Sequence, residues 1–496
     1  MFNFRTFNVA AVAVLTGILA QTAVAATDVD RLLDLLVKKQ LVTEQEAAAL
    51  RSEIANDQAA PRGSPPAAAV VMAAPIDVLG QRISLVETKL QQEAEAAAAQ
   101  AKTASLVSAS SDGFTIKSSD SAFAFNLHGT LQADTRLFPN GAPAAGASTL
   151  TITKVRPIFD GVLFKHFAFK IMPDFGSGST TLLDGYLDVT IRPWLKLRAG
   201  KFKGPVGLER LVADTEVEFY ERFLPTNLVP NRDVGAQLFG EPWGGVVTYA
   251  GGIFNGVPDG AITDLDTDNH REFEGRLFFH PFRRTSAASL QGFGAGVAGT
   301  SGSKTGTPSA PLVAAYRTTA QQNFFRYRSD GTEAGTVVAS GQQSRISPQA
   351  YYYWGAFGAW GEYVLSSQGV KRGAAHTTMD NAAWQVAVTY VLTGEEASYR
   401  SVTPAHPFDA KQRTWGAVEV GARYGQLSID KSAFPIFADP LSSASAAKSW
   451  TLGLNWYINK NAKIVLNYEQ TDFQTVEGGV KRKQERALME RLQLAF

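Results

Sequence analysis

The sequence predicts an all-β transmembrane barrel of about sixteen antiparallel strands, with a short N-terminal helical and coiled-coil extension. Three observations predict this fold. From about residue 120 to the end, apolar and polar residues alternate with a period of two, which is typical of half-buried strands. The links between these segments are alternately short and long, as in a barrel whose two rims differ. The last strand ends in an aromatic residue, Phe496.

The composition excludes several classes of protein. The chain has 496 residues, 45% of them hydrophobic and 19% charged, and its mean hydropathy of -0.08 is too low for a polytopic helical membrane protein. With 47 basic against 46 acidic residues, the chain has no overall positive field to hold nucleic acid. Since there is no cysteine, disulfides, cysteine-ligated zinc, iron–sulfur clusters and thiol nucleophiles are excluded as well.

The N-terminus has the pattern of a secretory signal peptide. Arg5 precedes an apolar run over residues 9–20, and Ala23-Val24-Ala25 supplies the small residues that signal peptidase reads. The alternative is a membrane anchor, but the apolar run is shorter than the roughly 20 residues that a helical span needs. We therefore expect residues 1–25 to be removed and the mature protein to be exported.

Three segments precede the barrel. Residues 26–55 have apolar residues at helical spacing, and residues 56–75 form a linker rich in proline and alanine. Residues 76–110 predict a short coiled coil, because apolar residues recur there at alternating steps of three and four. The alternative is an ordinary alanine-rich surface helix. The residues of the predicted seam are Ile76, Leu79, Ile83, Val86 and Leu90.

Residues 111–496 are predicted to form the barrel. Short links are expected at 164–167, 192–194, 241–243, 354–357 and 458–461, and long polar loops at 138–149, 204–233, 255–269, 301–342, 369–379, 431–446 and 474–484. One link breaks this alternation, because residues 394–411 stand where a short turn is expected. No later run of 18 or more apolar residues occurs, so a membrane-inserted chain must be a closed barrel.

The C-terminal strand ends in Leu492-Gln493-Leu494-Ala495-Phe496. This resembles the signal by which the barrel-assembly machinery recognises its clients, so we expect that machinery to be a partner through Phe496. The alternative is a soluble periplasmic β-protein, because alternation by itself also occurs in sheets with one buried face.

No enzymatic motif is present. The sequence lacks HExxH, GxSxG and GxxxxGK[ST], and the six histidines have no metal-ligand spacing. We therefore predict neither catalysis nor a bound metal or cofactor.

The loop over residues 204–233 differs from the other loops because it is long and amphipathic. Its apolar residues Leu208, Leu211, Val212 and Phe219 lie at near-helical spacing. A loop with its own apolar face must pack against something, and in a wide barrel the available surface is the inner wall. The sequence predicts that this loop folds inward and narrows the pore.

The chain resembles the phosphate-selective porins O and P over residues from about 120 to 496. The motifs are GKFKGPVGLE with YERFLP after it, YVLTGE at 390–395, GAVEVGARYGQLSID at 416–430 and LGLNWYINKNAKIVLNYEQTDF at 452–473. The resemblance implies a trimeric sixteen-stranded porin in the outer membrane of a Gram-negative bacterium, and a coiled coil that trimerises in the periplasm. It also implies that the link at 394–411 is periplasmic.

The resemblance and the strand pattern together nominate the site residues. By motif position, Arg210 and Arg222 resemble basic residues that strip water from an anion at the constriction, and Asp184 resembles a carboxylate that orients them. A guanidinium suits this task because its donors match phosphate oxygens. Strand parity adds four lumen cations: Lys154, Arg156, Lys196 and Arg198. The alternative for each residue is an ordinary lumen charge paired with a neighbour.

The predicted function is passive diffusion of small hydrophilic solutes, with a phosphate-like anion site at the constriction. Two features depart from the family. Thr215 stands where well-known phosphate-specific members have a lysine, and residues 204–233 carry three arginines against six carboxylates, a formal charge of -3. A general or weakly cation-preferring porin is therefore one alternative, and a structural outer-membrane anchor with a periplasmic tether is another.

Overall fold

The computed structural model describes residues 33–34, 37–38, 43–58, 81, 83–96, 105–139 and 148–496. The chain divides into two units, Met1–Ala96 and Ala97–Phe496. The predicted signal peptide at 1–25 lies outside the described residues, as does the predicted linker beyond residue 58. Among the helices that the structure describes, none combines the length and the hydropathy that a membrane crossing requires.

The N-terminal unit contains helical segments. Helix α1 (Glu44–Gln58) begins directly after Thr43 and extends three residues beyond the predicted boundary at 55. A side-chain ion pair of 2.5 Å joins Arg51 of this helix to Asp34. Residues 83–96, here called α2, are also helical, and the predicted seam residues Ile83, Val86 and Leu90 are at least half exposed. The predicted coiled-coil boundary at 110 is wrong, because Leu106–Ser110 is already a strand.

The second unit is a barrel of sixteen antiparallel strands, and β3 pairs with both β4 and β20 to close it. The hairpin of β1 (Leu106–Ser110) and β2 (Gly113–Lys117) adds to β3 beside the end of β20. The barrel strands are β3 (Ala124–Leu137), β4 (Thr149–Leu163), β5 (Phe167–Asp174), β6 (Thr181–Arg192), β7 (Leu195–Phe202), β8 (Asp233–Gly240), β9 (Val247–Phe254), β10 (Glu272–Phe279), β11 (Phe293–Thr305), β14 (Val338–Trp354), β15 (Phe357–Arg372), β16 (Ala375–Val391), β17 (Ala417–Ser428), β18 (Ala446–Tyr457), β19 (Ala462–Gln474) and β20 (Glu485–Ala495). The strands β12 (Tyr316–Arg317) and β13 (Asn323–Phe325) form a separate hairpin.

The alternation in the sequence places apolar residues outside and polar residues inside. On β16, Val386, Val388 and Tyr390 are about half exposed, whereas Gln385 and Thr389, on the opposite face, are buried. Successive side chains of a strand point to opposite faces, so the exposed apolar set forms the outer surface of the barrel. The predicted fold class is confirmed.

The links separate into two rims. The rim with Phe496 has mostly short turns, and we call it the turn rim; the other is the loop rim. Two predictions about links are corrected. The expected long loop at 369–379 is a two-residue turn, because β15 ends at Arg372 and β16 begins at Ala375, with Gly373 at φ +56°. The turn rim also has a second long link, at 280–292, which the sequence analysis missed.

The C-terminus completes the barrel at the turn rim. The backbone of Phe496 exchanges hydrogen bonds of 2.8 and 3.0 Å with Gly129 of β3. A Cβ at Gly129 would lie 2.5 Å from the Phe496 ring, so only glycine leaves room for this ring. Phe114 of the β1–β2 hairpin contacts the same ring edge-on, at 6.4 Å between centroids.

Candidate functional site

The link between β7 and β8 folds into the barrel, as predicted, and we call residues 204–233 the constriction loop. It contains helix α3 (Leu208–Leu211) and a 3₁₀ turn at Leu224–Asn227. Its apolar side chains are almost fully buried, because they pack against the inner wall on β15, β16 and β17. The main buried side chains are those of Val206, Leu208, Phe219, Phe223 and Leu228.

A second loop-rim link also enters the barrel, which the sequence analysis did not predict. Tyr316, Phe324 and Phe325, from the link between β11 and β14, are at most 1% exposed and share one apolar cluster with Phe223 and Leu224 of the constriction loop. The two links therefore pack together against the inner wall on strands β15, β16 and β17.

Two carboxylates of the constriction loop, Glu209 and Glu218, face the wall that it covers. Glu209 accepts hydrogen bonds from the Phe223 backbone N–H (2.8 Å) and from Gln385 (3.0 Å). Glu218 accepts from Trp360 Nε1 at 2.6 Å and from the Tyr353 hydroxyl at 3.1 Å. Burial, together with the charge of Glu419, raises the pKa of Glu218 to about 8. The formal charge of -3 therefore overstates the negative charge that a solute meets.

Asp214 differs from Glu209 and Glu218 because it lies next to three cations. It forms ion pairs with Arg156, with Arg222 and with Lys154, the last at 3.6 Å. Burial by itself raises the pKa of Asp214, but the charges of Arg222, Lys154 and Arg156 hold this pKa well below its ordinary value. Asp214 therefore stays ionised and fixes the loop to the wall at β4.

Arg210 and Arg222 hold the loop in shape. Arg222 donates to the backbone oxygens of Glu209 (3.0 Å) and Val212 (2.6 Å), and Arg210 donates to the oxygen of Thr226 at 2.6 Å. Both arginines are less than one-tenth exposed. The structure thus places these two predicted site residues within the loop, where their donors bind its carbonyl groups.

A cavity of about 370 Å³ lies between the constriction loop and strands β3 to β10, and we call it the main cavity. Six cationic side chains and two carboxylates line it, so the cations are in formal excess by four. The cations are Arg156, Lys170, Arg198, Lys203, Arg232 and Arg276, and the carboxylates are Asp184 and Asp214.

Carboxylates neutralise part of this charge. Arg198 forms a bidentate ion pair with Asp188, with hydrogen bonds of 2.7 and 2.8 Å. Asp184 pairs with Arg232 at 3.0 Å and with Lys170 at 3.6 Å, and not with Arg210 or Arg222.

Lys203 and Arg276 are bound differently from the other cations. Lys203 donates to the backbone oxygen of Val212 at 2.8 Å, and Arg276 donates to Gln349 at 3.2 Å. Among the residues that the structure describes, neither has a carboxylate within ion-pair distance. Burial, with the charges of Arg222, Arg232 and Arg210, lowers the pKa of Lys203 well below its ordinary value. A buried cation without a counter-charge is favoured by an incoming anion.

The structure brings Arg156, Asp184 and Arg198 of the predicted set into the wall of the main cavity. Lys154 is buried against Asp214, and Lys196 lies 6.0 Å from the ring of Phe239. The cationic lining residues not predicted from the sequence are Lys170, Lys203, Arg232 and Arg276. For Arg276 a signal was present, since its neighbours Gly275 and Leu277 belong to the apolar face of their strand.

A second cavity of about 470 Å³ lies beyond the tip of the constriction loop, towards the turn rim. Thr215 lines both cavities. The link at 394–411 folds into the barrel here, and Tyr399 donates a hydrogen bond to the oxygen of Leu208. The cationic residues lining this second cavity are Arg400, Lys460 and Lys463, against the carboxylate of Glu216.

Comparison with known proteins gives a consistent set of similarities. The family described as phosphate-selective porin O and P matches residues 125–496. Porin O of Pseudomonas aeruginosa is 24% identical over 404 residues, which cover 74% of this chain and 86% of that protein. The outer-membrane channel DcaP of Acinetobacter baumannii matches 77% of this chain and 99% of its own, at 11% identity and a TM-score of 0.49. Outer-membrane expressed OmpT of Vibrio cholerae matches 76% of this chain and 98% of its own, at 13% identity and a TM-score of 0.48. The family match covers every strand of the barrel.

Proposed function

This chain belongs to the family of phosphate-selective porins O and P, and on that premise we propose that it is a passive channel that prefers small anions. As a porin it forms a channel across the outer membrane of a Gram-negative bacterium. The selectivity rests on one observation: of the six cations around the main cavity, Lys203 and Arg276 have no carboxylate within ion-pair distance among the described residues. Charges that line a narrow passage with few waters raise the local concentration of the opposite ion.

Different observations argue against the two alternative functions, a cation-preferring porin and a structural anchor. A cation-preferring porin requires the carboxylates of the constriction loop to face the solute, whereas Glu209 and Glu218 accept hydrogen bonds from the covered wall. A purely structural anchor gives no reason for a main cavity lined with unneutralised cations. Phosphate is the anion that family membership favours, and Thr215 at the loop tip is the position at which its discrimination is expected to differ from that of members with a lysine there.

The assembly is part of the proposal. The half-exposed seam of α2 suits association of three chains in the periplasm, and the apolar outer face suits outer-membrane lipid. The terminal ring of Phe496 is 41% exposed, which suits recognition by the barrel-assembly machinery.

The test is the zero-current potential of the purified protein in a planar bilayer across a potassium chloride gradient. We expect a potential of anion-selective sign that falls by more than half in the double variant Lys203→Gln with Arg276→Gln, because this variant removes the two cations without a carboxylate partner. The matched control is Lys481→Gln with Lys483→Gln, which removes two exposed positive charges from a loop-rim link. A cation-selective potential in the unaltered protein contradicts the proposal.

A further inference from the structure

We propose that the main cavity binds organic anions with an aromatic or similarly flat apolar body more tightly than it binds inorganic phosphate. This inference rests on the anion preference proposed above and adds the class of solute. It follows from three features of the cavity: the apolar side chains in its wall, the position of one aromatic ring relative to the unpaired cations, and its size.

The wall of the main cavity is apolar as well as cationic. Five consecutive strands, β4 to β8, each place an apolar or aromatic side chain on it, and the constriction loop adds Leu211. The five are Ile158, Met172, Tyr186, Phe202 and Phe239. A strongly hydrated inorganic anion loses water at such a wall and gains no contact there, whereas an apolar body gains by leaving water.

Phe239 is the ring that remains accessible to a solute. Phe202 is 1% exposed, and the ring of Tyr186 is covered by the Arg198 guanidinium at 3.8 Å, but Phe239 is only half-buried. Cations flank the Phe239 ring, with Arg198 at 5.1 Å and Lys196 at 6.0 Å. The ring therefore offers an apolar face next to positive charge.

The sheet register places an unpaired cation near this ring. Phe239 of β8 pairs with Ala250 of β9, and Ala250 pairs with Arg276 of β10. The three residues lie in one inward row, so the Cα atoms of Phe239 and Arg276 are two strand spacings apart, about 10 Å. The Arg276 guanidinium lies over the Phe278 ring at 4.4 Å and donates to Gln349 of β14. An anion that reaches from it to the Phe239 ring therefore extends over the small side chain of Ala250.

The size of the main cavity also favours an organic anion. Its volume of about 370 Å³ is within the range of sites for small organic molecules, about 300 to 1,000 Å³. A water molecule occupies about 30 Å³, so an inorganic phosphate would leave most of this volume to water. An aromatic carboxylate fills more of this volume and contacts both the cationic and the apolar side chains of the wall.

The experiment compares three probes in the same channel: benzoate, acetate and inorganic phosphate, each titrated against the chloride current in a planar bilayer. Acetate has the carboxylate without the ring, so the ratio of its half-blocking concentration to that of benzoate isolates the contribution of the apolar body. We expect benzoate to block at a concentration about tenfold lower than acetate, which corresponds to partial burial of one ring, and also lower than phosphate.

Two substitutions of Phe239 test whether its ring causes the preference for benzoate. Phe239→Ala is expected to reduce the acetate-to-benzoate ratio towards one, and Phe239→Leu to retain part of it, because leucine keeps apolar area without a ring. The control is Phe279→Ala, since Phe279 lies on the outer face of β10 and is 43% exposed; it should leave the ratio unchanged.

The outcomes separate this inference from the proposed function. Benzoate no stronger than acetate in the unaltered channel, with an anion-selective potential retained, overturns the organic-anion inference alone, as does a ratio that Phe239→Ala does not change. Phosphate blocking more strongly than benzoate overturns it too. A cation-selective potential overturns the proposed function and this inference together.

Discussion

The two halves of the barrel interior have the same alternating strands but hold their charges differently. Strands β3 to β10 face the main cavity, where cations outnumber carboxylates. On strands β14 to β20 the constriction loop covers the wall, and charged residues such as Arg423 and Glu469 are at most 2% exposed. The strand pattern thus places charges on the inner face, and the loop decides which of them a solute meets.

Arg423 illustrates the covered half. Its guanidinium lies between the rings of Phe219 and Phe223, at 4.4 and 4.5 Å, and forms ion pairs with Glu209 at 3.4 Å and Glu469 at 3.5 Å. A cation enclosed in this way has its counter-charge supplied by the protein. Arg276 on the open half has no such carboxylate among the described residues, so a solute anion can take that place.

The largest effect is expected from loosening the constriction loop on the wall of strands β14 to β20. Phe223→Ala removes a fully buried ring from the apolar cluster that joins the constriction loop to the wall, and a loss of about 3 to 5 kcal/mol of packing is typical of such a change. We expect a higher and noisier single-channel conductance in planar bilayers. Phe273→Ala, on the exposed outer face, should conduct like the unaltered protein. An unchanged conductance for Phe223→Ala would show that the loop does not restrict the pore.

A smaller effect is expected from changing the balance of charge in the open half. Asp214→Asn leaves Lys154, Arg156 and Arg222 without their shared carboxylate, so the positive charge facing the solute increases. The ratio of chloride to potassium permeability should rise at least about twofold. Glu477→Gln removes one exposed carboxylate from a loop-rim link and is the matched control. A fall in the ratio would contradict the placement of Asp214 in the wall of the cavity that solutes traverse.

The smallest expected effect is a pH dependence of the protein's stability, caused by the buried Glu218 of the constriction loop. The unfolded chain releases the Glu218 proton above the ordinary pKa of about 4.5, whereas the folded protein keeps this proton up to about pH 8. The free energy of unfolding therefore falls as pH rises from 4.5 to 8, and the whole loss of stability is present above pH 8. The midpoint of thermal unfolding should therefore drop less between pH 6 and pH 9.5 in Glu218→Gln than in the unaltered protein. Glu333→Gln, at an exposed site, should behave like the unaltered protein. Equal drops in all three proteins would exclude a protonated Glu218.

Part of the wall of the main cavity is predictable from strand parity. Parity places Arg156 and Arg198 in the lumen because their strands alternate clearly, and both line the main cavity. The same argument applies to Lys170 and Arg276, which also lie on polar faces of alternating strands. It does not apply to Lys203, which follows the end of β7, where the alternation stops.

The sequence by itself determined the barrel, its strand number, the inward course of the constriction loop and the family, because each depends on local alternation, link length or an apolar loop face. The tertiary structure alone decided that Arg210 and Arg222 bind loop carbonyls, that Glu209 and Glu218 face the covered wall, and that Lys203 and Arg276 lack carboxylate partners. The reason is physical: a period of two assigns a strand residue to a face, whereas an irregular loop has no period, and the pairing of its charges depends on which wall it packs against.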